Sequence, residues 1–130
     1  MENKIVAHTR DGRVIKGMTH DFDPQQETFH VLPAEGGGIP IRLQVSDLKA
    51  LFYVKDYFGN REYRAPRSFG SGAGRGPRCV VTFFDGEAIF GTTPDYEASP
   101  VGFTLYPSDP EDNNDRLFVA KSAVRDIVFP

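Results

Sequence analysis

The chain has 130 residues, of which 39% are hydrophobic and 12% aromatic, and its formal net charge is −3. This composition is typical of a folded globular protein and excludes a disordered one. One cysteine, Cys79, excludes an internal disulfide framework and a cysteine-rich zinc site, and we expect it to be buried. No apolar run is long enough for a membrane helix and no signal peptide begins the chain, so we expect a cytoplasmic protein.

The first fifty-four residues predict five β-strands, because short runs of apolar residues are separated by turn-forming ones. A hairpin turn is indicated by Arg10-Asp11-Gly12-Arg13, and Ser46-Asp47 offers the cap of a single helical turn before the last strand. No segment has a sustained helical period. The predicted strands are Lys4–Thr9, a strand resuming at Val14-Ile15, Thr28–Leu32, Ile39–Val45 and Ala50–Val54.

Residues 55–77 form a connector, and the segment 55–78 carries a net charge of +4. Its arginines alternate with aromatic residues, a combination that binds anionic rings, nucleotides and single strands. We therefore name a candidate ligand site, with a solvated basic linker as the alternative. The candidate residues are Arg61, Arg64, Arg67, Tyr57, Phe58 and Tyr63.

Residues 78–130 repeat the first segment. The run 80–91 matches 6–17 at an offset of 74, and a longer loop near residue 110 shifts the offset to 76, so that Ile41 falls on Leu117 and Leu51 on Ile127. A repeat at a fixed offset indicates two copies of one structural unit. We predict an all-β protein with a first barrel at 1–54, the connector at 55–77 and a second barrel at 78–130.

Each copy has an Asp-Gly turn, a second glycine five residues later and an acidic-aromatic pair before a hydrophobic strand. This pattern resembles the first signature of the Sm/LSm family, and it implies tandem five-stranded Sm-like or SH3-like barrels with a short helical turn before the last strand of each. The residues by which Sm proteins bind RNA are absent at the matching positions. The turn and bend residues are Asp11, Gly12, Gly17, Asp85, Gly86 and Gly91.

The whole chain is also similar to bacterial two-repeat proteins known only as a domain of unknown function. The shared pattern includes Gly91-Thr92, Phe103–Pro107, Phe52–Asn60 and Asn114–Val119. The resemblance implies a bacterial cytoplasmic domain of a kind associated with signalling proteins, and it assigns no activity.

Two groups of residues invite a metal hypothesis. The three histidines, His8, His20 and His30, lie near Asp21 and Asp23, and residues 109–115 contain four acids. The alternatives are exposed strand histidines and an ordinary acidic turn. We favour the first because His8 and His30 fall at outward, solvent-facing positions of alternating strands and the second copy has Thr82, Pro94 and Thr104 instead. We favour the second because residues 109–115 do not have the spacing of an EF-hand loop. We predict no metal and no cofactor.

No catalytic motif occurs, so we predict that the protein is not an enzyme. We predict a binding module, with another protein as its partner in signalling or regulation, and an open strand edge would also permit homo-oligomers. The alternative is binding of a cyclic dinucleotide or RNA through the connector; no membrane partner is expected. Candidate protein contacts are Phe52, Tyr53, Tyr57, Phe58, Tyr96 and Tyr106.

Overall fold

A computed structural model describes residues 4–35, 38–57, 69, 76–109 and 112–130. These residues are all-β, as predicted. Residues 4–57 are called the first half below and residues 76–130 the second half. The strands are β1 (Lys4–Thr9), β2 (Val14–Met18), β3 (Thr28–Pro33), β4 (Ile41–Gln44), β5 (Leu48–Val54), β6 (Arg78–Phe83), β7 (Ala88–Thr92), β8 (Gly102–Pro107), β9 (Asn114–Ala120) and β10 (Val124–Val128).

A 3₁₀ turn precedes the last strand of each half, at Val45–Asp47 and at Lys121–Ala123. A turn was predicted at this place, but in the structure no side chain caps it: the turn at Val45–Asp47 follows Gln44 directly. Within the described part of the chain, no helix is long and apolar enough to cross a membrane.

The ten strands form a single antiparallel sheet in the order β10-β6-β7-β8-β9-β5-β1-β2-β3-β4. The predicted pair of separate five-stranded barrels is not confirmed, because the sheet stays open. The reason is that β5 pairs with β1 on one side and with β9 of the second half on the other. β5, the last strand of the first half, therefore joins the two halves and does not close a separate first barrel.

Both halves nevertheless have the same strand order and the same local hydrogen bonds. Asp21 Oδ1 accepts the backbone amide of His30 at 2.9 Å, and Asp95 Oδ1 accepts that of Thr104 at 2.8 Å. In each half the threonine two residues earlier donates to the same carboxylate oxygen at 3.3 Å. These aspartates therefore hold the beginning of the third strand of each half, through a part-buried network in the second half and a more exposed one in the first.

The second shared feature is a close approach of strands at a glycine. A Cβ atom on Gly17 would lie 2.1 Å from the carbonyl oxygen of Leu32, and one on Gly91 would lie 2.3 Å from that of Tyr106. Only glycine lets the second and third strands of each half come this close.

The core consists of two clusters, and both halves contribute to each of them. Alternate residues of a strand point to opposite faces, so Leu51 of β5 enters one cluster with Phe118 of β9, while Phe52 enters the other with Leu117. β5 is buried on both faces, which explains why its sequence, LKALFYV, is almost continuously apolar. The halves thus share their hydrophobic core instead of each enclosing its own.

Candidate functional site

The two Asp-Gly turns lie on either side of one cleft. Gly12 and Gly86 have φ angles of 93° and 94°, a conformation that glycine adopts at little cost. Their amides donate to the carbonyl groups of Thr9 and Phe83, which closes each turn. Asp11 accepts hydrogen bonds from the hydroxyl of Thr9 and from Arg13, and Asp85 Oδ1 accepts the amide of Glu87 at 3.0 Å.

The cleft between these turns has a volume of about 550 Å³. It lies where the halves meet, since the turn of the first half, the start of β5 and the turn of the second half all contribute to its wall. The lining residues are His8, Thr9, Arg10, Asp11, Gly12, Lys49, Phe83, Phe84, Asp85 and Ala123.

Lys49 occupies the wall between the halves. Its Nζ lies 2.6 Å from Asp85 Oδ2, 2.6 Å from Glu87 Oε1 and 4.6 Å from the centroid of the Phe83 ring. Burial alone would lower the pKa of Lys49, but the two carboxylates outweigh it, and the pKa is raised. Its side chain is only 12% exposed, so the ammonium group is a fixed ionic link across the junction of the two halves, where β5 pairs with β9.

His8 forms the adjacent part of the wall. Its ring lies edge-on to Phe52 with centroids 4.7 Å apart. Burial, and next the charge of Lys49, lower the pKa of His8, which makes the neutral imidazole the form present near neutral pH. His8 was predicted to face solvent, and in the structure its side chain is half-buried against Phe52 while still lining the cleft.

Phe84 stands at the rim of the cleft with 68% of its surface exposed. Its amide donates to the carbonyl of Ala123 at 3.1 Å, and the amide of Arg10, at the equivalent position of the first half, donates to the carbonyl of Asp47 at 2.8 Å. Both residues are therefore held by the 3₁₀ turns. The cleft offers an exposed aromatic ring, a neutral imidazole and paired charges, which can receive an apolar side chain together with polar main-chain groups.

The arginine-rich site predicted from the sequence cannot be assembled from the described structure. Its members Arg61, Arg64, Arg67, Phe58 and Tyr63 lie outside the described residues.

The sixth member, Tyr57, is described and sits against the fold. Its hydroxyl donates to the carbonyl oxygen of Gly17 at 2.7 Å, and Lys4 Nζ lies 5.9 Å from its ring centroid. Phe69, also from the connector, packs edge-on to Phe90, with its centroid 5.2 Å away.

The other aromatic candidates mostly contact the protein itself. Phe52 is buried in the core. Tyr53 lies 4.0 Å from the guanidinium group of Arg116. Tyr96 packs edge-on to Phe103, with centroids 4.9 Å apart. Each of these rings therefore has a packing role within the fold.

The metal candidates do not converge among the described residues, where no three histidine, cysteine, aspartate or glutamate side chains are placed to hold an ion. His30 Nδ1 instead pairs with Asp21 Oδ2 at 2.7 Å. In the acidic loop, the side chain of Asn113 exchanges two hydrogen bonds with the backbone of Asp56 and so ties this loop to the connector.

Cys79 is fully buried, as predicted, and burial raises the pKa of its thiol to about 11. The thiol is protonated at neutral pH and is not a nucleophile in this state.

Sequence reasoning missed Lys49, Arg10 and Phe84. A signal for Phe84 was present, since a large apolar residue stands in a hairpin turn where the first half has Arg10. The pairing of Lys49 with Asp85, 36 residues away, left no local signal.

Comparison with curated proteins and with solved structures gives no significant match. A family model, described as a family of unknown function (DUF6982), matches residues 1–129. The chain belongs to this family.

Proposed function

We propose that this protein is a non-enzymatic binding module that holds a segment of another protein in the cleft between its halves. The observation that carries the proposal is the exposed ring of Phe84, which is held through its backbone in the same cleft as the ion pairs of Lys49. Aromatic side chains, phenylalanine among them, are enriched in protein–protein interfaces relative to the rest of the surface.

The charges of the cleft support a polypeptide partner over a phosphate ligand. Lys49, its most buried cation, is already paired with Asp85 and Glu87, so its charge is compensated. The cleft is lined by the carboxylates of Asp11 and Asp85 as well as by Arg10 and Lys49, so a phosphate group there would meet repulsion as well as attraction. An apolar side chain against Phe84 meets no such repulsion.

In this proposal the molecule arose by duplication of one Sm-like or SH3-like unit. The same strand order and the equivalent hydrogen bonds of Asp21 and Asp95 support that origin. The setting is bacterial, cytoplasmic and regulatory, as the family resemblance implies. Fusing two units places their turns next to each other and creates a cleft that one unit lacks.

Affinity capture from native lysate tests the proposal, with Phe84→Ser as the variant and Val14→Ser as its control. Val14 is also exposed, at 53%, but lies outside the cleft. We expect the wild type and the Val14 variant to recover the same protein and the Phe84 variant to lose it. Recovery of that protein by all three would overturn the proposal.

A third variant, with Arg61, Arg64 and Arg67 replaced by alanine, separates the nucleotide alternative. If thermal shift measurements reveal a cyclic dinucleotide or short RNA that binds the wild type and not this variant, and binding weakens steeply with salt, the connector is the site instead.

A further inference from the structure

We infer that copies of this protein pair head to tail, with β10 of one copy added to β4 of the next. This inference goes beyond the proposed partner binding and uses a different surface. Its basis is the junction inside the chain, which shows how one half of this protein docks on the other.

At that junction β5 of the first half lies antiparallel to β9 of the second half. The register pairs Ala50 with Val119, Leu51 with Phe118 and Phe52 with Leu117. All these side chains are buried.

The two outer strands of the sheet are the structural equivalents of the two junction strands. β10 follows the 3₁₀ turn of the second half as β5 follows that of the first, and β4 precedes its turn as β9 does. The sheet thus ends in β4 on one side and β10 on the other. β10 is thus the equivalent of β5 and β4 the equivalent of β9, so β10 of one copy can pair with β4 of another as β5 pairs with β9.

Exposed apolar side chains gather at these two ends. Six large hydrophobic residues are exposed in the described structure, and three of them are Ile39 at 81%, Val128 at 48% and Phe129 at 45%. Ile39 lies just before β4, and the other two lie at the end of β10. Apolar surface at an unpaired strand edge favours the addition of another strand.

Repeating the internal register places Val128 of one copy opposite Ile41 of the next, and Ile127 opposite Arg42. The charges fit in part. Arg125 takes the place of Lys49 and Asp11 of the next copy takes the place of Asp85, so one ion pair of the junction can form again between copies, whereas Arg13 stands where Glu87 supplies the second acid. The contact joins two different surfaces and is therefore heterologous.

Several differences make the outer pairing weaker than the inner one, and one of them is Arg42, which stands where the junction buries Phe118. Asp126 stands where the junction buries Ala50, and it would lie opposite Leu43 of the next copy. Covering a carboxylate without a partner opposes association. Pro40 also offers no amide donor to the added strand. The pairing is consequently reversible and depends on concentration.

Sedimentation velocity over a wide range of protein concentration tests the inference. We expect the wild type to self-associate, Val128→Glu to raise the dissociation constant by about tenfold or more, and Asp126→Ala to lower it by about tenfold. Val101→Glu, at an exposed valine just before β8, is the control, and circular dichroism verifies that each variant folds.

Mixing two blocked variants identifies the geometry. Val128→Glu blocks strand pairing at β10 and leaves β4 intact, whereas Ile39→Glu blocks strand pairing at the β4 end and leaves β10 intact. We expect the mixture to form a heterodimer although each variant alone associates poorly. A wild type and an Asp126→Ala variant that both stay monomeric at every concentration would overturn the inference, as would self-association that neither blocking variant weakens.

Discussion

The Nζ atom of Lys49 in the first half lies 2.6 Å from Oδ2 of Asp85 in the second half. Lys49 belongs to β5, the strand that joins the halves, and Asp85 belongs to the turn that forms the opposite wall of the cleft. This ion pair therefore holds the wall of the cleft to the junction of the halves, and its contribution to the free energy of unfolding can be measured.

Replacing Lys49 with methionine keeps the apolar stem and removes the charge. We expect the free energy of unfolding to fall by about 1–2 kcal/mol, because two hydrogen bonds to carboxylates are lost while solvent screens the half-exposed acids. Urea denaturation measures the change, and a double-mutant cycle with Asp85→Asn isolates the pair. Arg125→Met, at the equivalent but exposed position, is the control. Equal losses of unfolding free energy for Lys49→Met and Arg125→Met would show that the ion pair of Lys49 adds nothing to stability beyond what an exposed cation adds.

The same pair predicts a dependence on pH. The hydrogen bond from Lys49 lowers the pKa of Asp85 below its usual 3.8. A carboxyl group with a lowered folded-state pKa stabilises the protein above its unfolded pKa, and this stabilisation is lost as pH falls through the folded value. The difference in unfolding free energy between wild type and Asp85→Asn should be constant from neutral pH to about 4 and shrink below that. Chemical denaturation at a series of pH values measures it, and a difference that does not begin to shrink as pH falls below about 4 would contradict the assignment.

The contribution of Lys49 to the free energy of unfolding depends on pH in the opposite direction, since it is lost at alkaline pH. Because the folded-state pKa of Lys49 is raised above 10.5, its contribution is complete below that pH and is lost as pH rises through the folded value.

Asp95 is expected to be a structural residue. Asp95→Ala removes the acceptor of the Thr104 amide and should lower the free energy of unfolding by about 1–2 kcal/mol. Asp95→Asn retains an acceptor oxygen and should lose much less. Asp21→Ala should behave like Asp95→Ala, whereas the exposed Glu97→Ala should change stability by less than about 0.5 kcal/mol. Thermal and urea denaturation measure these changes. An Asp95→Ala variant with an unchanged free energy of unfolding would disprove the structural role of Asp95.

Gly91 should tolerate no side chain. Gly91→Ala places a Cβ atom against the carbonyl of Tyr106, and we expect a loss of at least about 1–3 kcal/mol, with the same result for Gly17→Ala. Gly38→Ala is the matched control, since a Cβ there meets nothing within 4 Å. It should be neutral or slightly stabilising because the unfolded chain loses conformational freedom. Similar urea midpoints for Gly91→Ala and Gly38→Ala would show that the strands do not approach as closely as described.

The sequence predicted the strands well and the site poorly, for one physical reason. The alternation of apolar residues from Lys4 to Thr9 and the turn residues Asp11 and Gly12 are local signals, and local backbone preferences act on them directly. The position of His8 depends on the ring of Phe52, 44 residues further along, and no local pattern reports that contact.

The sequence by itself determined that the chain is all-β and where its strands and turns lie, because hydrophobic alternation and Asp-Gly turns specify those features within a few residues. Only the tertiary structure decided that the ten strands form one sheet with a shared core. The run LKALFYV indicates a strand buried on both faces, but apolar side chains do not specify a partner. The pairing of β5 with β9 follows from the packing of the whole molecule, and it brings the two turns together around the cleft.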